Sequence, residues 1–213
     1  VPVMVVHGAQ AGPVLCLTAG VHGDEINGVE TVRQVVNRVQ PEHLAGSVVG
    51  VPVVNLFGYQ RNSRYLPDRR DLNRFFPGDR KGWFTELLAD AITREFLEKI
   101  DVHIDLHSGT DRPTVDYVYL LNDEGLSRSF GSKILYRPQE GMTGTTFSGT
   151  TKSVTIDRRG IPAAVIELGG GILDQAPYVA RGVKGVLNML RYLGAIDGEP
   201  EPPPSQVVVR GIE

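Results

Sequence analysis

Short, largely apolar runs alternate along the chain with segments in which apolar residues recur at helical spacing. Residues 13–19 and 48–55 are runs of the kind found in strands buried on both faces. Between them, valines at positions 29, 32, 36 and 39 predict a helix over residues 27–39. This alternation is typical of an α/β fold in which helices pack against a largely parallel sheet.

The same pattern continues toward the C-terminus, with one long interruption. It predicts strands over residues 101–107, 115–121 and 163–168 and helices over residues 83–100 and 177–193. The 25 residues from 56 to 80 show no clear period. Connections in compact domains usually contain roughly four to six residues, so this long segment indicates a loop with a function.

The last residues differ in composition from the rest of the chain. Residues 198–204 read GEPEPPP, which indicates a stiff, extended linker, and residues 206–210 (QVVVR) have the pattern of a single strand. A lone strand after such a linker cannot bury itself. We therefore expect residues 1–197 to form one domain, and residues 198–213 to be a linker followed by the first strand of a C-terminal β-domain outside this chain.

Charge and composition narrow the range of partners. The chain carries 22 Lys and Arg residues against 25 Asp and Glu residues, so it has no general attraction to nucleic acid or to an anionic membrane. No apolar run approaches the roughly 20 residues that a membrane-spanning helix needs. The single cysteine, Cys16, allows no internal disulfide, which fits a cytoplasmic protein. The sequence leaves a homo-oligomer open.

Two side chains with metal-binding chemistry follow the first predicted strand. His22 and Glu25 are three residues apart in a glycine-rich turn, so both can reach one ion about 2 Å away. Taken alone, such a pair is more often a helix start with an exposed histidine and a solvated glutamate.

A third metal ligand is expected at the end of the strand over residues 101–107. Here His103, Asp105 and His107 alternate with apolar residues and share one face. His107 lies at the carboxyl end and can supply the ligand, Asp105 can orient neighbouring groups, and His103 is expected to be structural. A His, Glu, His set leaves a fourth position open to water, the pattern of a catalytic zinc, one per chain.

Glu167 ends a strongly apolar strand, where an unpaired carboxylate would be costly to bury. We interpret it as the base that takes a proton from the zinc-activated water and passes it to the leaving amine. The alternative is that it caps the glycine turn that follows.

The long loop contains an unusual density of arginines. Five of them interleave with two aspartates and an asparagine, at Arg61, Arg64, Asp68, Arg69, Arg70, Asp71, Asn73 and Arg74. Guanidinium groups bind carboxylates in a bidentate manner, so the loop is interpreted as an anion clamp. A solvated salt-bridge network is the alternative, and a phosphate or RNA contact is conceivable, although no aromatic stacking surface supports it.

In combination, these motifs resemble the succinylglutamate desuccinylase/aspartoacylase family of zinc carboxypeptidase-like hydrolases. The resemblance covers about residues 14–195 and rests on the segments GVHGDEING, RY, DLNRFFPG, DLHSG and ELG. It implies a mixed sheet flanked by helices, and a small C-terminal β-domain like the one inferred above. The resemblance also implies a role for each site residue: zinc ligands His22, Glu25 and His107, general base Glu167, and substrate-binding residues Arg64, Asn73 and Arg74.

A further basic side chain upstream of the base occurs in some members of that family. Lys152, Arg158 or Arg159 could supply it here, and the sequence does not choose among them.

The activity expected is hydrolysis of the amide bond in a small N-acylated amino acid or related acyl-amine, with Arg64 or the zinc stabilising the oxyanion. Two alternatives stay open. The first is a metallocarboxypeptidase acting on peptides, and the second is a protein that binds a zinc-bound or carboxylate ligand without chemistry.

Overall fold

A computed structural model describes residues 1–111, 114–138, 148–170 and 174–211. Within these residues, eight strands form one mixed sheet in the order β1-β3-β2-β4-β7-β5-β6-β8. The strands are β1 (Met4–His7), β2 (Gln10–Ala19), β3 (Ala45–Val51), β4 (Val102–His107), β5 (Val115–Tyr119), β6 (Ile134–Arg137), β7 (Ala163–Gly169) and β8 (Val207–Arg210). The predicted α/β class, with a mixed and largely parallel sheet flanked by helices, is confirmed.

Helices cover both faces of the sheet. The α-helices are α1 (Asn27–Arg38), α2 (Leu56–Gln60), α3 (Phe84–Ile92), α4 (Glu124–Ser129) and α5 (Ala176–Tyr192). Two further segments, Thr93–Leu97 and Ser153–Arg158, are π-helical. No helix in the described parts of the chain is both long enough and apolar enough to cross a membrane.

The centre of the sheet is parallel, and this brings distant parts of the sequence to one edge. Strands β3, β2, β4 and β7 run in the same direction, whereas β1 and β5 are antiparallel to their neighbours β3 and β7. The register pairs Ala19 with Leu106 and His107 with Glu167. The turn after β2, the end of β4 and the end of β7 therefore meet, as ligand sites do in open α/β sheets.

Alternation along β4 divides its side chains between two environments. Val102, Ile104 and Leu106 belong to the apolar core that α1 and α5 cover. The intervening polar residues lie on the opposite face, where α3 and the long loop cover the sheet with a second, smaller core. The predicted division of this strand is therefore correct, and it leaves a polar row buried at the centre of the sheet.

The largest differences from the predicted boundaries are at the ends of β3 and α3. Strand β3 ends at Val51, because Asn55 accepts a hydrogen bond from the Gly58 N–H (2.8 Å) and starts helix α2 inside the predicted loop. The helix predicted over residues 83–100 is α-helical only to Ile92 and then π-helical to Leu97.

The helical spacing also predicts an apolar stripe on this helix at residues 84, 87, 88, 91 and 92, and the structure confirms it only in part, because Ile92 is buried and Leu88 packs against the smaller core. Phe84 and Leu87 are 40% and 44% exposed, whereas Thr85 is fully buried. The physical reason is a polar contact, because the Thr85 hydroxyl donates to Asp68 in the long loop at 2.6 Å. Phe84 instead stacks edge-on against Phe57 of α2, with ring centroids 5.1 Å apart.

The C-terminal strand has a partner within the same sheet. Strand β8 pairs in parallel with β6, an element that the sequence pattern did not reveal. The described residues 198–211 thus extend the edge of the sheet, and a separate C-terminal β-domain stays a prediction.

Close packing at the start of α1 gives a test of this fold. A Cβ atom on Gly28 would lie 2.8 Å from the Leu106 Cβ and 2.9 Å from the Ala19 Cβ. We expect Gly28→Ala to lower the free energy of unfolding by about 1–3 kcal/mol through overpacking, although alanine favours helix. Asn37→Ala, on the exposed face of the same helix, should change it by less than about 0.5 kcal/mol. Equal urea midpoints for the two variants would contradict this packing.

Candidate metal centre

Three predicted ligands form one buried cluster at the carboxyl edge of the sheet. One ligand atom from each of His22, Glu25 and His107 lies within 4.8 Å of the others. The His22 Nδ1 is 2.6 Å from Glu25 Oε1, and the His107 Nδ1 is 2.8 Å from Glu25 Oε2. Two imidazole nitrogens and a carboxylate oxygen are the donors that zinc prefers, so the described residues can hold such an ion.

The second nitrogen of each imidazole faces another carboxylate. The His22 Nε2 is 3.1 Å from Asp71 Oδ1, and the His107 Nε2 is 3.2 Å from Asp105 Oδ2. Metal-binding histidines usually donate their outer N–H in this way, which fixes the tautomer and the ring orientation. Both Nδ1 atoms are thereby directed toward Glu25, where they and a Glu25 oxygen could bind one ion together.

Electrostatics in the cluster reflect the density of carboxylates. Burial lowers the pKa of His107, but the carboxylates of Asp105 and Glu25 outweigh burial and hold that pKa well above its ordinary value. Burial raises the pKa of Glu25, yet the imidazoles of His107 and His22 lower it to about 2. The site therefore favours positive charge between its three donors.

His103 has the structural role expected from the sequence. It is buried, and its Nε2 lies 2.8 Å from the Thr18 hydroxyl. Because that hydroxyl donates its own proton to Asp105 at 2.6 Å, it accepts from the His103 Nε2–H. His103 thus supports Asp105 indirectly, through the Thr18 hydroxyl, and does not belong to the cluster.

The arginine-rich loop is divided between two roles. Arg64 and Arg74 line the cavity beside the cluster. Arg70 instead pairs with Glu86 at 3.2 Å and stacks over Trp83, whereas Arg61 and Arg69 are exposed, as the salt-bridge alternative predicted for such a loop.

Asp71 fixes the direction of the Arg64 guanidinium. Arg64 Nε and Nη2 donate to Asp71 Oδ2 at 3.1 and 2.9 Å, and Nη1 lies 3.3 Å from Glu25 Oε1. Asp71 therefore holds both a cluster imidazole and a cavity arginine. The sequence analysis did not assign this double role, although the pairing of Asp71 with an arginine seven residues away was a signal.

A cavity of about 170 Å³ opens beside the cluster, and most of the predicted site residues line it. The lining residues are His22, Glu25, Arg64, Asn73, Arg74, Asp105, His107, Tyr119, Thr150, Thr151, Lys152, Val165 and Glu167. This volume is below the roughly 300–1,000 Å³ of pockets for drug-sized ligands, so the cavity suits only a smaller molecule.

Glu167 lies in this cavity, next to His107 in the sheet register. Burial raises its pKa to about 7, against the opposing effect of His107. The glycine turn that follows is capped by another residue, because the Gly170 N–H donates to Gln175 Oε1 at 2.9 Å. The capping alternative is therefore not needed to explain Glu167.

Among the three basic residues left open, only Lys152 lines the cavity. Arg159 donates to the carbonyl oxygens of Leu97 and Ile100 at 2.7 and 2.6 Å, and Arg158 is exposed. The sequence analysis missed Tyr119, whose hydroxyl lies 3.2 Å from that of Tyr117. Their two-residue spacing along β5 was a signal that both share a face.

Known proteins resemble this chain over most of its length. The model of the succinylglutamate desuccinylase/aspartoacylase catalytic domain matches residues 11–193. An N-alpha-acetyl-L-2,4-diaminobutyric acid deacetylase from Halomonas elongata is 33% identical over 211 residues, which are 95% of this chain and 61% of that protein.

Solved structures agree with this similarity. A succinylglutamate desuccinylase/aspartoacylase from Rhodobacter sphaeroides matches with a TM-score of 0.84 and 31% identity, over 99% of this chain and 66% of that one. The product-bound ectoine utilization protein EutE (DoeB) from Ruegeria pomeroyi matches with a TM-score of 0.87 and 27% identity, over 100% and 66%. The chain thus spans slightly less than two thirds of the length of these relatives.

Metal affinity tests the cluster directly. We expect the chain to bind one zinc ion, and His22→Ala to weaken binding by more than the roughly 10- to 100-fold that loss of an outer hydrogen-bond partner costs. His43→Ala, a substitution of an exposed histidine, should bind like the unchanged protein. Competition with a chromogenic chelator measures the zinc affinity of the unchanged protein and of both variants. Equal affinities of the two variants would show that the cluster is not the binding site.

Proposed function

The chain belongs to the succinylglutamate desuccinylase/aspartoacylase family, and from this premise we propose that it hydrolyses the amide bond of a small N-acylated amino acid with zinc as cofactor. One observation carries the proposal. A donor set suited to zinc, a glutamate whose pKa is raised to about 7 and cationic side chains share one small cavity. Binding alone would not require the glutamate.

Zinc in a site with three protein ligands supplies Lewis acidity, which lowers the pKa of water to about 7 and polarises a carbonyl group. Glu167 is the proton carrier in this proposal. Its carboxylate takes a proton from the attacking water and returns it to the nitrogen as the C–N bond breaks, so that a carboxylate and an amine are released. A pKa near neutrality suits both transfers.

Arg64 is proposed to stabilise the negative charge that develops on the carbonyl oxygen. Its two contacts with Asp71 hold the guanidinium in place before substrate binds, and its Nη1 side lies near Glu25 of the cluster. A donor that is already oriented loses little free energy by reorganising during the reaction. Asp71 would therefore support catalysis through Arg64 and His22 together.

Asn73 and Arg74 are proposed to bind the substrate carboxylate, with Lys152 as a further cation in the same cavity. The Arg74 Nη1 donates to the backbone carbonyl oxygen of Asn73 at 2.7 Å, which holds the Arg74 side chain against the Asn73 backbone. An amide donor beside a guanidinium is a suitable pair for a carboxylate. Burial of Lys152 lowers the pKa of its ammonium, so an anion nearby would favour its charged form.

Substrate size distinguishes this proposal from a metallocarboxypeptidase. We expect the zinc-loaded protein to hydrolyse N-acetyl-2,4-diaminobutyrate or another N-acetyl amino acid, because the 33% identical relative is a deacetylase and the cavity is small. An N-blocked dipeptide should be a poor substrate. Release of free amine, measured with both compounds, decides. Preferential cleavage of the dipeptide would favour the carboxypeptidase instead.

Loss of the proposed base gives the sharpest test of the mechanism. We expect Glu167→Gln to reduce kcat by roughly 100- to 10,000-fold while the protein still binds zinc, because glutamine cannot carry the proton. Steady-state kinetics and zinc titration on the same preparation measure the two properties.

Glu98→Gln is the matched control, since this glutamate is exposed and does not line the cavity. Full activity of Glu167→Gln would remove the residue from its assigned role. Stoichiometric zinc, tight product binding and no turnover of any amide by the unchanged protein would support a binding protein instead.

A further inference from the structure

Thr151 connects two parts of the site that are distant in the sequence. Its hydroxyl donates to Asp105 Oδ2 at 2.5 Å, and its backbone N–H donates to Asn73 Oδ1 at 3.1 Å. The residue is only 1% exposed. One residue therefore contacts both the carboxylate behind a cluster histidine and a proposed substrate ligand.

The contact of Thr151 with Asp105 affects His107, one of the three residues of the candidate metal centre. Asp105 is fully buried, and its oxygens accept from the hydroxyls of Thr18 and Thr151 as well as from His107 Nε2. Burying a carboxylate is costly unless hydrogen bonds satisfy it, so each hydroxyl helps to hold the group charged and in place. With Oδ2 fixed, His107 keeps its proton on Nε2 and directs Nδ1 toward Glu25.

The Asn73 contact acts on the substrate side. A backbone N–H can only donate, so the Asn73 atom that faces Thr151 is the carbonyl oxygen Oδ1. The amide is thereby oriented, and no described residue accepts a hydrogen bond from its Nδ2. Because Asn73 lines the cavity, its NH₂ group is the part of the amide available to an anionic ligand.

The segment that contains Asn73 (residues 73–76) and the segment that contains Thr151 (residues 149–151) are in close contact. The Phe76 N–H donates to the Gly149 carbonyl at 2.8 Å. A Cβ atom on Gly149, which has a φ of +77°, would lie 2.2 Å from the Arg74 carbonyl oxygen. Glycine is thus required for the approach that brings Thr151 to Asn73.

We infer that Thr151 is a positioning residue, which sets the orientation of the zinc ligand His107 through its hydroxyl and that of Asn73 through its backbone. The inference rests on the proposed function, and it assigns the two effects to different atoms. Removal of the hydroxyl should therefore weaken metal binding and leave recognition of the substrate carboxylate intact.

The experiment compares Thr151→Val, which lacks the hydroxyl and keeps the N–H, with Thr151→Ser, which keeps both. We expect zinc affinity, measured by chelator competition without substrate, to fall roughly 3- to 10-fold in Thr151→Val, less than the roughly 10- to 100-fold that loss of the direct partner Asp105 would cost, and to stay within about twofold in Thr151→Ser. At saturating zinc, KM of Thr151→Val should be unchanged. Asn73→Ala should show the opposite split, with a raised KM and unchanged zinc affinity.

Thr93→Val is the matched control, because Thr93 is a buried threonine whose hydroxyl has no hydrogen-bond partner among the residues that the structure describes. If Thr151→Val does not fold, Thr151→Ala removes the same hydroxyl without adding volume. Unchanged zinc affinity in a folded variant without the hydroxyl, or absence of zinc binding by the unchanged protein, overturns the inference. Zinc binding without any amide hydrolysis contradicts the proposed function alone, since the affinity comparison requires no turnover.

Discussion

The site depends on the contacts that the buried Glu25 carboxylate makes with the imidazoles of His22 and His107. Its two oxygens lie 2.6 and 2.8 Å from the Nδ1 atoms of His22, in the turn after β2, and of His107, at the end of β4, so its burial is offset only when both elements are in place. Removing one partner of a buried charged pair costs on the order of 3–5 kcal/mol. The register between β2 and β4 therefore determines the geometry of the His22, Glu25 and His107 cluster.

That constraint explains which features could be predicted from the sequence. Periodicity over residues 101–107 identified the face that carries the polar row, and the parallel direction of β2, β4 and β7 brings His22, His107 and Glu167 to one edge. Both arguments depend only on local backbone geometry and on the direction of the strands. For this reason the fold class and the metal-type cluster followed from residues far apart in the chain.

Features that depend on the folding of loops could not be predicted in this way. Helical spacing did not reveal that Thr85 is buried through its contact with Asp68, and it placed Phe84 and Leu87 of α3 in the core although both are exposed. Nothing in local periodicity places Lys152 in the cavity or joins Thr151 to Asp105. These contacts form between segments without a repeating pattern, so they require the tertiary structure.

The site consequently divides into a rigid part and a part made by loops. Glu167 and His107 are adjacent in the sheet, so the distance between the proposed base and the cluster follows from strand register. The side chains proposed to contact substrate lie on segments 64–74 and 150–152, which lie outside the strands and are joined by the hydrogen bond from the Thr151 N–H to Asn73 Oδ1. The pairing of β4 with β7, and not the contact between these two segments, sets the position of the proposed base relative to His107. Thr151 joins the two parts. Its hydroxyl donates to Asp105 in β4 and so links the loops proposed to contact substrate with the cluster of His22, Glu25 and His107.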